Sequence, residues 1–532
     1  MKAKQTIRSF LAMTIVLFAI SGTAHAEEMM FGEDDVVDTL DHLEELIQDG
    51  KDLYENGSFE EASLRFFDVL MDEEWGAEAY FPEAEYELAK TLFRLELYQG
   101  ALAYFGAIAE EGDFHPYFES ALRGLLLLSD VIPGDITLTE HLSRYADHYP
   151  NAVPDQYRDR YAYVVGRYFY DNMEYDEALR MLNNVSTGSR YYAEARYITG
   201  ITHVANYDAE PAVDAFRDVL RFLSTRDTPM SQFRGRQRQL LDLTHLGMAR
   251  VYYSTGQFDT SLNYYERVDR ESPRWPDSLF ESSWGFFQVD EFNQALGNLH
   301  SLNSPFFADA YFPEGPILAA VIYFYNCNYN LVRNVLEDYA YVHDGIKDDL
   351  EAILQAHPGE FEMYEWGTTW RARDVDGDPE MMSALRSALN DRQLSQRFEL
   401  VQAIETEKAT LEQMSDSWQT SVLGDTLAGE AVVAHSFAVG EAGEMTEQRL
   451  RRVIDEIDSL VNQQNRILFE VARAERGEIE ADIRAGMMLE GEEAGATTLD
   501  VSDEDLYWVF DGEYWKDELG FYYFDIRSEC RR

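Results

Sequence analysis

The run Val251-Tyr-Tyr-Ser-Thr-Gly-Gln-Phe-Asp-Thr-Ser-Leu-Asn-Tyr-Tyr-Glu-Arg-Val268, followed by Pro273, decides the fold. Ala249 and Ser261 stand twelve residues apart, with Tyr252 three after the first and Phe258 three before the second. Small residues at that spacing let two short helices approach closely while the rings fill the space around the turn. The same spacing recurs as Gly50/Ala62, Ala89/Ala101, Gly166/Ala178, Gly200/Ala212, Ser283/Ala295 and Ala320/Val332. Large rings precede most of the second members, as at Phe59, Tyr98, Tyr175, Phe292 and Tyr329. One such pair cannot bury its own apolar face, so neighbouring pairs must stack.

The second members fall at 62, 101, 178, 212, 261, 295 and 332, in steps of 39, 77, 34, 49, 34 and 37 residues. This pattern resembles the tetratricopeptide repeat, a helix-turn-helix unit of about 34 residues, over roughly residues 40 to 342. The resemblance implies an all-α solenoid with an extended surface for protein partners. The 77-residue step hides a degenerate unit, with Ala121 to Leu128 as its first helix and Leu138 to Tyr149 as its second. The 49-residue step holds an insertion, Ser224 to Gln239, carrying Arg226, Arg234, Arg236 and Arg238 on an otherwise acidic chain. It reads either as an exposed docking loop or as a solvated loop paired with acidic neighbours.

Met1 to Ala26 reads as a secretory signal peptide. Lys2, Lys4 and Arg8 precede an apolar core, and Ala24-His25-Ala26 offers a small-x-small cleavage site. A periplasmic or secreted, soluble product is expected, without a lipid anchor at the cleavage site and without a transmembrane segment. In that compartment a disulfide can persist, and Cys327 and Cys530 are the candidates; two unpaired thiols are the alternative. Net charge is −55, from 44 Lys and Arg against 99 Asp and Glu. Such a field excludes nucleic acid as a partner and favours basic proteins or divalent cations. Equally, an acid-rich, Lys-poor surface suits solubility at high salt.

Beyond about residue 345 the repeat spacing stops. Residues 344–378 read as a connecting segment, and 379–486 as a long coiled-coil hairpin with its tip at 423–444. Asp378 and Pro379 open it as N-cap and first helical residue. Leu400, Ile404, Glu407, Leu411, Met414 and Trp418 form one heptad seam, and Val453, Ile457, Leu460, Gln464, Ile467, Val471 and Ala474 a second. Arms of some 40 residues would project roughly 60 Å. The apolar stretch Leu427 to Val439 presents Val433 and Phe437 as partner-binding candidates, unless a third short helix folds back to cover the hairpin end. Residues 487–532 read as a linker and an aromatic-rich C-terminal element. Asp511-Gly512 suggests a small β hairpin, and Trp508 and Trp515 are either partner contacts or part of a cap. The run Tyr507 to Gly520 also resembles closing segments of large secreted repeat proteins of gliding and predatory Gram-negative bacteria, which implies an envelope context.

Motifs for chemistry are absent from the sequence. There is no Gly-x-Ser-x-Gly, no phosphate-binding Gly-rich loop ending in Lys-Ser/Thr and no His-Glu-x-x-His. Asp374, Asp376 and Asp378 alternate as in a calcium loop, but Pro379 and Leu385 stand where such a loop needs Gly and Glu. A helix-capping turn is the competing reading. Neither catalysis nor a cofactor is therefore expected. The function that emerges is a periplasmic scaffold or adaptor binding envelope proteins through the repeat groove, and through the hairpin tip or aromatic tail. The alternatives are a self-assembling structural element, homo-oligomeric through the coiled coil, and a regulatory subunit of a cell-wall enzyme.

Overall fold

The computed structural model describes residues 33–73, 76–132, 134–151, 153–225, 235–372, 378–485 and 510–530. The expected signal peptide, Arg226, Arg234, Asp374, Asp376 and Trp508 lie outside them.

Eight helix pairs stack in chain order. They are α1 (Glu33–Glu55) with α2 (Phe59–Leu70), α3 (Phe81–Arg94) with α4 (Tyr98–Glu111), α5 (Phe118–Leu128) with α6 (Ile136–Ser143), and α7 (Arg158–Asp171) with α8 (Tyr175–Leu182). Then follow α9 (Tyr192–Ala205) with α10 (Ala209–Thr225), α11 (Gly235–Ser254) with α12 (Phe258–Tyr265), α13 (Trp275–Gln288) with α14 (Phe292–Leu302), and α15 (Gly315–Tyr325) with α16 (Tyr329–Ala356). The small residues do sit where the helices of a pair meet. A Cβ on Gly50 would lie 2.6 Å from the Phe66 ring, and one on Gly200 2.5 Å from Phe216. Ser261 donates its hydroxyl to the Ala249 carbonyl at 2.8 Å.

A second device recurs at the turns of the pairs. The residue two before the second helix has φ between 59° and 85°: Gly57, Glu96, Gly134, Met173, Tyr207, Gly256, Asp290 and Cys327. In seven of the pairs the next amide then donates back to the fifth residue upstream, as Leu97 to Leu92 at 3.0 Å and Asp208 to His203 at 2.8 Å. This is the Schellman closure of a helix C-terminus, which satisfies carbonyls the last turn leaves free. The pair α5/α6, the degenerate unit of the sequence, has the left-handed residue, Gly134, but not this hydrogen bond.

Several expected boundaries shift. The Arg-rich insertion is partly helical: α10 and α11 are lengthened, and Leu240 and Leu241 pack with Val219 and Leu223. Arg236 and Arg238 therefore stand in the first turn of α11 and not in a loop. The connecting segment is helical too. Helix α16 runs through residue 343 because Tyr339, His343, Ile346 and Leu350 continue one buried stripe, and α17 (Glu360–Ala372) follows it.

The expected projecting hairpin is the largest correction. Its first arm is broken into α18 (Pro379–Leu389), α19 (Arg392–Gln413) and α20 (Asp416–Gln419), and α21 (Val422–Ala485) is one continuous helix of 64 residues. The reversal occurs at 414–421, so residues 423–444, expected as the tip, are the start of α21. Helix α19 runs antiparallel to the first part of α21, joined by Arg397–Glu441 at 3.5 Å, His435–Glu405 at 3.3 Å and Arg449–Asp391 at 2.8 Å. This paired stretch spans the 22 residues of α19, or about 33 Å. It does not project. Leu400, Ile404, Leu411, Trp418, Leu427 and Ala438 share one core with the first five helix pairs, and Leu460 and Val471 share another with α14 to α16. The seams are real apolar stripes; the solenoid is the partner for much of their length.

The described tail, 510–530, contains no strand, so the expected β element is not found there. It lies as an irregular strap over pairs six to eight. Leu519 is buried with Trp275 and Leu279, and the Gly520 amide donates to the Ser301 hydroxyl at 2.9 Å. The Phe524 amide donates to the Asn293 carbonyl at 3.1 Å and that of Glu529 to Asn326 at 2.9 Å. Any side chain at Gly297 would collide with the Tyr522 backbone. Cys530 is disulfide-bonded to Cys327, closing a separation of 203 residues. Cys327 occupies the left-handed position of the last repeat turn, so the strap is tied to the end of the solenoid.

Candidate interaction surfaces and an arginine-lined cavity

The docked arm, α17 to α21, meets the solenoid at both ends and in the middle. At the first pair, Trp418 is fully buried and its indole N–H donates to the Ser63 hydroxyl at 2.9 Å; the Ser415 amide donates to Glu60 at 3.1 Å. At the second pair, the Glu407 carboxylate accepts the Gln99 amide at 2.9 and 3.1 Å. That amide belongs to the first turn of α4, whose free N–H groups suit a negative charge. Burial nevertheless raises the Glu407 pKa to about 7, with the backbone N–H groups of Tyr98, Gln99 and Gly100 opposing. At the last pair, Gln464 donates to the Leu336 carbonyl at 2.8 Å, Arg333 pairs with Glu475 and Lys347 with Asp458. Glu407 and Gln464, read from sequence as polar seam positions, are thus bonded to the solenoid.

Where α19 crosses the middle pairs, a cavity of about 690 Å³ remains. Six arginines line it: Arg160 and Arg167 of α7, Arg190 before α9, Arg236 of α11, and Arg392 and Arg397 of α19. Against them stand four carboxylates, Asp130, Asp135, Asp171 and Glu194. Arg160 is held by Asp130 at 2.8 Å, and Arg236 by Glu194 at 2.8 Å. Arg397 donates to the Gly134 carbonyl at 2.6 Å, with Glu441 behind it. Arg167 lies 3.6 Å from Asp171. Arg392 makes no direct ion pair among the described residues. Burial, with the Arg167 and Arg236 guanidiniums adding to it, pulls its pKa below the usual range. A protein of charge −55 therefore keeps an excess of cations in one cleft.

Of the residues singled out from sequence, Arg236 lines this cavity, while Arg238 sits on the same helix turn. Val433 and Phe437 are exposed on the side of α21 turned away from the solenoid, at 49% and 60%, with Val422 and Val432 beside them. Trp515 is exposed on the strap. Asp378 accepts the amides of Glu380 and Met381, both at 3.2 Å, as the N-cap of α18. The cavity itself escaped the sequence reading. Its only local sign was Arg160-x-x-Tyr163-x-x-x-Arg167, one face of α7, and the remaining walls come from residues far apart in the chain.

The repeats are of the tetratricopeptide type. Their helix pairs, twelve-residue small-residue spacing and Schellman turns carry that assignment. No family model and no curated protein matches the chain. Among solved structures, the chain is similar to the apo form of RapI, at 13% identity over 65% of this chain and 98% of that one, with a TM-score of 0.33. It is similar to a tetratricopeptide repeat protein from Parabacteroides merdae, at 14% identity over 56% and 92%, with a TM-score of 0.24. A thermophilic tetratricopeptide repeat protein from Thermus thermophilus aligns at 18% identity over 46% and 99%, with a TM-score of 0.18. Scores of this size carry no argument about partners. The tetratricopeptide-type solenoid of this protein has its own C-terminal helices laid along it.

One described stretch, Val422–Ala481, is long and apolar enough to cross a membrane by length and composition, with a mean hydropathy of 1.2 in its most apolar window. A third of that window is buried inside the protein. Packing of Leu423, Leu427, Ala431 and Ala438 on the solenoid accounts for part of its apolar character.

Proposed function

We propose that this protein is a non-catalytic protein–protein interaction scaffold of the bacterial cell envelope, acting in a self-docked form. The observation that carries the reading is the arm: the tetratricopeptide surface already receives helices, and those helices are the chain's own. Partners are then met by what the docked arm leaves outward, above all Val422, Val432, Val433 and Phe437, an apolar stripe on a helix otherwise rich in charge. Envelope location is supported by the signal-like N-terminus and by Cys327–Cys530, a bond that persists in oxidising compartments.

A photoreactive residue at position 437 in the full chain, in living cells, tests this. The control carries it at Phe469, which is exposed on the same helix. Adducts with a distinct envelope protein from 437 and not from 469 are expected. Adducts with the protein itself alone would replace the scaffold by a self-assembling element, and the absence of any adduct would remove the stripe as a contact.

A further inference from the structure

The cavity between the middle repeats and α19 is not used by that reading. Three of its guanidiniums, Arg167, Arg236 and Arg392, come from three different helices; Arg167 is paired with Asp171 and Arg236 with Glu194, and Arg392 with neither. Guanidinium forks match phosphate and carboxylate oxygens in paired hydrogen bonds. Beside them lie apolar and aromatic surfaces, Tyr163, Val164, Tyr168 and Leu240. A volume of about 690 Å³ falls in the range of small-molecule sites, and this one is more heavily charged than most.

We propose that this cavity binds a small organic oxyanion, its anionic group among Arg167, Arg236 and Arg392 and its apolar body against Tyr163 and Leu240. One wall of the site is the arm. Arg392, Gln393, Gln396 and Arg397 all belong to α19, and the opposite wall belongs to the solenoid. A ligand held between them binds the docked form and not the released one, so its occupancy adds to docking by mass action. Binding would make the arm, and with it the outward stripe on α21, responsive to a metabolite-sized anion.

The experiment uses the full chain at low, constant ionic strength, with inorganic phosphate, phenyl phosphate and benzoate as probes. Thermal melting and hydrogen exchange of residues 392–413 are read together. A saturable rise in Tm with phenyl phosphate or benzoate, accompanied by slower exchange in α19, is expected. Arg392→Gln, which breaks no direct ion pair among the described residues, should keep the unliganded melting temperature near wild type and weaken the probe at least tenfold. Arg167→Gln should weaken the probe likewise from the solenoid wall, read against its own unliganded melting temperature. A rise with inorganic phosphate alone would confine the site to the anion and overturn the organic ligand. No saturable shift, or an undiminished one in Arg392→Gln, would overturn the proposal altogether. None of these results decides whether position 437 forms adducts with a partner, so failure here is distinct from failure of the scaffold reading.

Discussion

At the scale of single residues, the repeat turns hold a cost that the sequence pattern conceals. Tyr207 is held at φ 62° and is 96% exposed, so its side chain contributes little packing while its Cβ opposes the left-handed backbone. That conformation costs a non-glycine residue roughly 1–2 kcal/mol, part of which glycine returns as unfolded-state entropy. Tyr207→Gly is expected to raise stability by about 0.5–1 kcal/mol, measured as an upward shift in the denaturant midpoint. Glu407 gives a prediction in pH. Its carboxyl is near 4.5 unfolded and about 7 in the docked site. Between those values the folded state holds a proton that the unfolded chain has released, so stability falls as pH rises across the window. Glu85, also raised to about 7 by burial and by Glu111, adds to the same slope. Glu407→Gln should flatten the decline between pH 4.5 and 7 without abolishing it, as read from melting curves at constant ionic strength. Heptad position alone marked Glu407 as unusual. Its partner, the start of α4 some 308 residues earlier, has no trace in local sequence.

At the scale of elements, the arm is an apolar stripe whose complement is another part of the same chain. Trp418 is where the two are pinned. It is fully buried, hydrogen-bonded to Ser63 and followed by the reversal into α21. Trp418→Ala removes a large buried ring and is expected to cost about 3–5 kcal/mol. Hydrogen exchange should show the loss concentrated in residues 392–449 and in α2, with α13 to α16 retaining protection. Equal loss in all pairs would mean that arm and solenoid unfold as one unit. The heptads were legible because they are written in single-residue periodicity. The length of the arm was not, because the break at residues 390–391 follows from the cap Asp391 and that at 414–415 from Ser415, whose amide and hydroxyl bond Glu60 of the first pair, and a seam reading passes over both.

At the scale of the whole molecule, two long-range closures hold the C-terminal half to the repeats: the docked arm and the tail strap. The strap packs on the repeats through Tyr514, Leu519, Tyr522 and Ile526, and the Cys327–Cys530 bond limits how far it can depart. Cys530→Ser is expected to cost about 2–5 kcal/mol. Limited proteolysis should then cleave within 510–530 while the fragment containing α1 to α12 stays intact. His300, ringed by Phe510, Tyr514 and Tyr522 at centroid distances of 4.5 to 5.1 Å, would become solvated and its lowered pKa would return toward the ordinary range.

The sequence by itself determined the repeats, because a small residue twelve positions from another acts within one helix pair. Stacking then follows from the apolar face each pair leaves open. It also determined the seams and the cap at Asp378, which are equally local. Only the tertiary structure decided that the seams lie on the solenoid, that α21 is unbroken through the expected tip, and that arginines from α7, α11 and α19 line one cleft. An apolar stripe specifies that it must be covered, not by what. The choice is made by the summed fit of Trp418 on Ser63, Glu407 on α4 and Gln464 on Leu336, contacts between segments that are hundreds of residues apart or in separate domains of the pattern.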